Sequence, residues 1–255
     1  MSLLHTQGLN VAIGDKLLCN DLDLTIRSGE VWGILGKNGA GKTTLLQTLA
    51  GLRPTQSGHI TLMDQALCDM HRRDIAQKMG VLLQDHHDAF PASVLETALI
   101  GRHPHLGQWQ WESAEDMALA RSALKAVELD AYHHRSTDTL SGGERQRLAI
   151  ATLLTQDPLL MLLDEPSNHL DLHHQISLLE QLKSRVQKNK GAIIMVLHDL
   201  NLAARFCNHL LLLFDDGQHQ SGLSEAMLNT DHLNRLYDHP IKIIEDEQSR
   251  AFLPR

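Results

Sequence analysis

Gly36-Lys37-Asn38-Gly39-Ala40-Gly41-Lys42-Thr43 is the stretch that decides the fold. It follows the compact apolar run Val31–Leu35 and opens a helical stretch, Thr43–Ala50, which Gly51 and then Pro54 bring to an end. A strand, a glycine loop and a helix in that order are the setting in which G-x-x-x-x-G-K-[ST] binds phosphate. Glycines let the backbone wrap closely, so that successive N–H groups point at phosphate oxygens. The helix that follows adds the positive end of its dipole. The loop therefore gives Gly36, Lys37, Asn38, Gly39, Ala40, Gly41, Lys42, Thr43 and Thr44 as nucleotide-binding positions. Lys42 reaches for the β- and γ-phosphates, and the Thr43 hydroxyl is a magnesium ligand.

Working outward, Leu22, Leu24 and Ile26 alternate with Asp23, Thr25 and Arg27, a half-buried strand in an N-terminal β portion. Downstream, Leu159–Leu163, Ala192–Leu197 and Leu210–Phe214 are short, nearly continuous apolar runs with helical stretches between them. Such runs suit parallel strands buried on both faces. Val81–Leu83 reads as another strand, just before Gln84. Between Pro91 and about Thr139 the texture changes: Val94–Ile100 and Ser113–Leu129 are helical in composition and period. The expectation is an α/β chain with a phosphate-loop core over residues 1–84 and 156–255 and an inserted helical subdomain over 85–155.

The run Leu159–Leu163 delivers Asp164-Glu165 to a strand's C-terminal edge, where ligands of α/β sheets bind. Successive strand side chains point opposite ways, so the two carboxylates have different roles. Asp164 suits magnesium, and Glu165 suits polarising an attacking water. A second glycine motif, Leu140-Ser141-Gly142-Gly143-Glu144-Arg145-Gln146-Arg147, opens another helix. Its start can bind an anion. It can equally be closed by a capping box between Ser141 and Glu144, which competes for the same N–H groups.

The string LSGGERQR resembles the signature of the ABC-transporter ATPase family, and the rest of that family's ordered motifs are present. They are the phosphate loop Gly36–Thr43, Gln84 after a strand, LSGGE at Leu140–Glu144, Asp164-Glu165, a loop ending in Asp171, and His198 after a strand. The likeness runs from about Leu3 to Tyr237. It implies a P-loop NTPase core of the ABC ATPase type with an N-terminal antiparallel β portion. It also implies a head-to-tail homodimer that sandwiches ATP and Mg2+. Ser141, Gly142, Gly143 and Glu144 would then act across the interface on the partner's ATP. By the same resemblance Gln84 senses the γ-phosphate and magnesium and relays this to a membrane partner. His198 holds the γ-phosphate and the water, and Asp171 links the two sites. The catalytic set is Glu165, His198 and Lys42; the metal set is Thr43, Gln84 and Asp164.

Two positions depart from the common pattern. Where the family usually stacks an aromatic ring on adenine, spacing places Ile13. Ser167-Asn168-His169-Leu170-Asp171 carries Asn-His where many members have Ser-Ala, a pair also found in soluble ABC ATPases that act on ribosomes. His198-Asp199-Leu200-Asn201-Leu202-Ala203-Ala204-Arg205-Phe206 instead resembles importers of iron–siderophore, haem and cobalamin. So do Gly101-Arg102-His103-Pro104-His105 and Asp171-Leu172-His173-His174-Gln175. That branch implies two transmembrane permease subunits, an external substrate-binding protein and a place at the cytoplasmic face of the inner membrane. A ribosome-acting ATPase is the alternative; it expects two ATPase units and a charged linker. A DNA-repair-type member would need a long heptad-rich insert, which is missing. Trp109 and Trp111 belong either to the membrane-subunit contact or to the helical insert's own core.

Composition fits this picture. The 255 residues carry 23 Lys+Arg against 31 Asp+Glu, a net charge of −8, which argues against nucleic acid as a partner. Cys19, Cys68 and Cys207 lie far apart and form no disulfide or zinc pattern. No apolar run approaches the roughly 20 residues of a membrane span. The 17 histidines include the adjacent pairs His86-His87, His133-His134 and His173-His174, whose side chains diverge on regular elements, so no histidine metal site is expected.

Overall fold

A computed structural model describes residues 1–84, 92–245 and 250–255. Two long strands, β1 (Ser2–Ile13) and β2 (Lys16–Arg27), form an antiparallel hairpin turned at Gly14-Asp15. β3 (Val31–Leu35) leads into α1 (Lys42–Leu49), and β4 (Ser57–Leu62) and β5 (Gln65–Ala66) return to the first sheet, whose order is β2-β1-β4-β5. α2 (Arg72–Lys78) and β6 (Met79–Leu82) follow, then three helices, α3 (Val94–Leu99), α4 (Ala114–Ala126) and α5 (Gly142–Gln156), that pack against one another. The chain continues through β7 (Leu160–Asp164), α6 (Leu172–Asn189), β8 (Ala192–Val196), α7 (Leu200–Phe206), β9 (His209–Leu213) and β10 (His219–Leu223). It closes with α8 (Ser224–Met227), α9 (Thr230–Tyr237) and the hairpin of β11 (Ile241–Glu245) and β12 (Arg250–Pro254).

The second sheet has the order β10-β9-β3-β8-β7-β6 and is parallel except for β10 at one edge. Its strands are apolar throughout because both faces are covered. Side chains alternate between two cores. Trp32, Ile34, Leu160, Leu162, Ile194 and Leu211 face α1 and the antiparallel sheet, while Leu35, Met161, Leu163, Ile193, Met195 and Leu212 face the helices α3 to α7. The phosphate-loop strand β3 is thereby fixed on four sides, between β8 and β9 and between the two cores.

α3 and α4 each start with a capping box, Ser93 with Glu96 and Ser113 with Asp116. Hydrogen bonds from Ser113, and then from Arg102, hold the Asp116 carboxyl down to about 2. The Asp85 end of the expected insert, and the His86-His87 pair, lie outside the described residues. The expectation for the histidine pairs is corrected twice: the His133 and His134 rings lie 3.9 Å apart after a short 3₁₀ turn, and the His173 and His174 rings, adjacent in α6, meet edge to face at 5.5 Å. Trp109 and Trp111 are 91% and 86% exposed, so neither belongs to a core. Among the described residues no helix is long and apolar enough to cross a membrane, and no group of three His, Cys, Asp or Glu could hold a metal ion.

Candidate nucleotide site

The phosphate loop leaves the sheet at the C-terminal end of β3. A Cβ on Gly36 would sit 2.7 Å from the Leu213 carbonyl oxygen, so the loop can turn there only without a side chain. Gly41 caps α1 at φ 97°, in the left-handed region that glycine enters freely. No side chain accepts a hydrogen bond from the first N–H groups of α1, and its first turn has no acid. Those donors point toward the loop without an internal acceptor. Lys42 is buried, and its Nζ donates to the carbonyls of Gly36 at 2.8 Å and Lys37 at 2.9 Å. Burial lowers its pKa, opposed by the charges of Glu165, Asp164 and Asp215. Lys37 itself faces Asp215 at 3.4 Å.

β7 brings the acidic pair alongside. Asp164 is fully buried, and neither of its carboxylate oxygens has a hydrogen-bond partner of good geometry. Burial raises its pKa, and Glu165 raises it further, while the nearby Thr43 hydroxyl, Lys42 and His198 act the other way. Glu165 takes a left-handed backbone, φ 51°, a strain of the kind that collects at functional sites. Its Oε2 accepts from Gln84 Nε2 at 3.1 Å and from Asn168 Nδ2, and its Oε1 pairs with His198 Nε2. Strands β3, β6, β7 and β8 thus end on one cluster: Lys42 and Thr43, Gln84, Asp164-Glu165, and His198.

Asn168 stands out in the sequence only as a departure from the family pattern, and the structure gives it a contact with Glu165. A local signal existed. Asn168 stands three residues after Glu165 in a turn closed by its own N–H to the Glu165 carbonyl at 3.1 Å, which folds its side chain back.

Other expected positions lie apart from this cluster. Ser141 and Glu144 form the capping box: Ser141 Oγ accepts from the Glu144 N–H at 3.3 Å, and Glu144 Oε2 accepts from the Ser141 N–H at 2.7 Å. Glu144 also pairs with Arg135 at 3.3 Å. A Cβ on Gly142 would meet nothing within 4 Å, whereas one on Gly143 would lie 3.1 Å from the His169 carbonyl. Asp171 caps α6, accepting from the His174 N–H at 2.9 Å, and those bonds lower its pKa. Ile13 is exposed at the hairpin tip, and Lys16 from the same tip donates to the Gly39 carbonyl at 3.3 Å, so the tip overhangs the phosphate loop.

Residues 19–168 match the ABC transporter family. The iron(3+)-hydroxamate import ATP-binding protein FhuC of Bacillus subtilis is 34% identical over 98% of this chain and 93% of its own length. The hemin import ATP-binding protein HmuV of Escherichia coli O157:H7 is 35% identical over 98% of this chain and 97% of its own. A solved structure assigned to the metal-chelate type of ABC transporter, in an inward-facing conformation, superposes with a TM-score of 0.86 at 26% identity, covering 100% of this chain and 98% of that one. The ribosomal alternative finds no support among these relatives.

Proposed function

The chain belongs to the ABC transporter family, and from that premise we propose that it is the ATP-hydrolysing subunit of an importer for iron chelates. The observation that carries the catalytic reading is the convergence of Gln84, Asn168 and His198 on the Glu165 carboxylate, beside Asp164, Thr43 and Lys42. Siderophore and haem cargo follow from the relatives; cobalamin rests on the branch likeness alone.

ATP lies with its phosphates along residues 36–44, against the uncapped start of α1. Lys42 exchanges its two loop carbonyls for the β- and γ-phosphate oxygens. Ile13 covers the base. Glu165 accepts a hydrogen bond from water and aims the water oxygen at the γ-phosphorus, with Gln84, Asn168 and His198 fixing the carboxylate. The new P–O bond forms as the bond to the β–γ bridging oxygen breaks. ADP leaves with phosphate, and Lys42 stabilises the charge that develops between them. Thr43, Gln84 and Asp164 would hold magnesium, which neutralises phosphate charge; they are hard oxygen donors, and among the described residues the Asp164 carboxylate has no hydrogen-bond partner of good geometry.

In a head-to-tail homodimer, Ser141, Gly142, Gly143 and Glu144 of one copy face the ATP of the other, and Asp171 joins the two sites. On this reading residues 1–84 and 156–255 are the ATPase core, and residues 85–155 are the helical subdomain. Two permease subunits receive the closure at the cytoplasmic face of the membrane, and an external binding protein delivers the chelate.

Glu165→Gln tests the mechanism. Steady-state hydrolysis falls by at least about 100-fold, while ATP binding persists and the ATP-bound dimer accumulates in size-exclusion chromatography. Turnover at the parent rate would show that Glu165 does not act on the water. Co-purification with a permease, against co-sedimentation with ribosomes, tests the importer assignment; ribosome binding without a permease overturns it.

A further inference from the structure

His198 is held only loosely by its surroundings. Its side chain is 42% exposed, against 11% for the Glu165 side chain it meets. Packing therefore does not set the ring, and its aim depends on the backbone that carries it. Upstream that backbone is fixed, because the Leu197 N–H donates to the Ile34 carbonyl of β3 at 3.3 Å. Downstream it runs straight into α7. Asp199 is the cap of that helix and accepts from the N–H groups of Asn201 at 2.7 Å and Leu202 at 3.2 Å. α7 has seven residues, too few to keep its shape and place without tertiary support. What holds α7 therefore holds the turn that carries His198.

The C-terminal end of the chain supplies that support. Among the described residues β12 has β11 on one side and no strand on the other, so the backbone groups of its outer edge need other partners. At Phe252 the Asn201 side chain meets both of them. Its Oδ1 accepts from the Phe252 N–H at 2.9 Å, and its Nδ2 donates to the Phe252 carbonyl at 3.5 Å. The amide of α7 thus stands where a neighbouring strand's peptide would stand. Phe252 is itself buried, in one core with Leu197, Ala203, Leu233 and Leu236. α9 closes on the same point. The Tyr237 hydroxyl is buried with no hydrogen-bond partner among the described residues, and burial, then the charge of Asp199, push it up to about 12. A neutral phenol therefore stands near the cap of α7. α9 and the hairpin are in turn tied together, the Ile241 N–H donating to Asn234 Oδ1 at 2.6 Å and the Arg255 N–H to the Pro240 carbonyl at 2.9 Å. Asp238 also faces Lys37 of the phosphate loop at 3.8 Å, but its side chain is 89% exposed and such a pair adds little. The Asn201–Phe252 pairing is the specific polar link between α7 and the hairpin.

We propose that Asn201 is a positioning residue for hydrolysis: by docking the C-terminal hairpin on α7, it fixes the turn that aims His198 at Glu165. The inference rests on the reading of His198 as a group that acts on the γ-phosphate and its water. It gives α9, β11 and β12, which carry no residue of the site cluster, a part in setting the rate.

The test measures ATP hydrolysis by the full chain, as kcat and KM and as a single-turnover rate. Asn201→Ala removes both bonds to Phe252. Alanine favours a helix more than asparagine does, so α7 keeps its own turns. Misplacing a reacting group by about 1 Å can cost about 100-fold, and freeing one anchor gives part of that. The expected result is a kcat about 10-fold lower, with KM for ATP and ATP affinity parental. The parental affinity also shows that the fold is intact. The deciding measurement is the double variant. His198→Ala alone lowers the single-turnover rate, and Asn201→Ala added to it lowers the rate no further, because the ring it positions is gone. A parental kcat in Asn201→Ala overturns the inference. So does a second 10-fold loss in the His198→Ala background, since Asn201 would then act without the histidine. His198→Ala turning over at the parental rate is a different failure: it removes the reading of His198, and the inference falls with it.

Discussion

α1 and α5 both open with a glycine-rich turn, and the two starts are finished differently. At α1 the cap is Gly41, no side chain accepts from the first N–H groups, and no acid stands in the first turn. At α5 the capping box satisfies the N–H groups of Ser141 and Glu144 internally, and Arg135 braces the glutamate. Orphan donors at a helix start must be met by something. The α1 start needs an external anion from its own chain's ligand, with Lys42 and the β7 carboxylates beside it. The α5 start is stable alone and can meet an anion only by offering the N–H groups and hydroxyl that the box leaves over. The difference teaches that one glycine-rich start is left open for a ligand, and that the other is closed within its own chain.

Breaking the open start has the largest effect. Lys42→Ala removes the buried ammonium that bridges Gly36 and Lys37. ATP affinity by calorimetry falls by about 100-fold and hydrolysis is lost, an effect of the size seen when one preorganised charge donor is removed. Breaking the closed start costs less and reads out differently. Ser141→Ala lowers stability by about 1 kcal/mol, seen as a Tm drop of about 2–4 °C, and leaves ATP binding by the single subunit at the parental affinity. A change in monomer affinity would mean that the two starts are not separate. The smallest effect sharpens the comparison by pH. Hydrogen bonds from the Ser141 backbone and hydroxyl hold the Glu144 carboxyl below its ordinary 4.5. A lowered native pKa gives stability that is full above the unfolded value and lost as pH falls through the native one. The parent's Tm therefore falls more steeply than that of Glu144→Gln as the pH drops below 4.5.

The parallel strands were legible because burial on both faces leaves an unbroken apolar run. The run Val31–Leu35 coincides with β3, that of β8 differs by one residue at one end, and those of β7 and β9 are each offset by one residue at both ends. β1 was not legible at its full length. Register shifts at Leu4, Leu9 and Val11 break the two-residue period along it, so alternation fails as a signal where the strand persists. The C-terminal hairpin of β11 and β12 was missed because its short strands have mixed exposure. In the site, Lys42, Thr43, Asp164 and Glu165 announce themselves through spacing, since the backbone geometry around phosphate tolerates few residue types. Asn168 does not, because its contact with Glu165 depends on a turn that only the folded loop defines. The exposure of Trp109 and Trp111 was equally invisible, since a Trp-x-Trp segment reads the same in a core and at a loop tip.

The place of β3 in the sheet has a consequence for biosynthesis. Its two neighbours, β8 and β9, are the eighth and ninth strands to leave the ribosome, and Val31 pairs with Ile193 while Leu35 pairs with Leu212. The phosphate loop is translated early, but the walls that hold it arrive late. At ordinary elongation rates the chain between Leu35 and Leu213 takes about 10–35 s to make. During that interval the nascent loop has no sheet to support it, and ATP cannot stabilise the growing polypeptide. Nucleotide becomes a folding ligand only for a nearly finished chain, so nascent chains stalled before β9 gain no protease resistance from ATP.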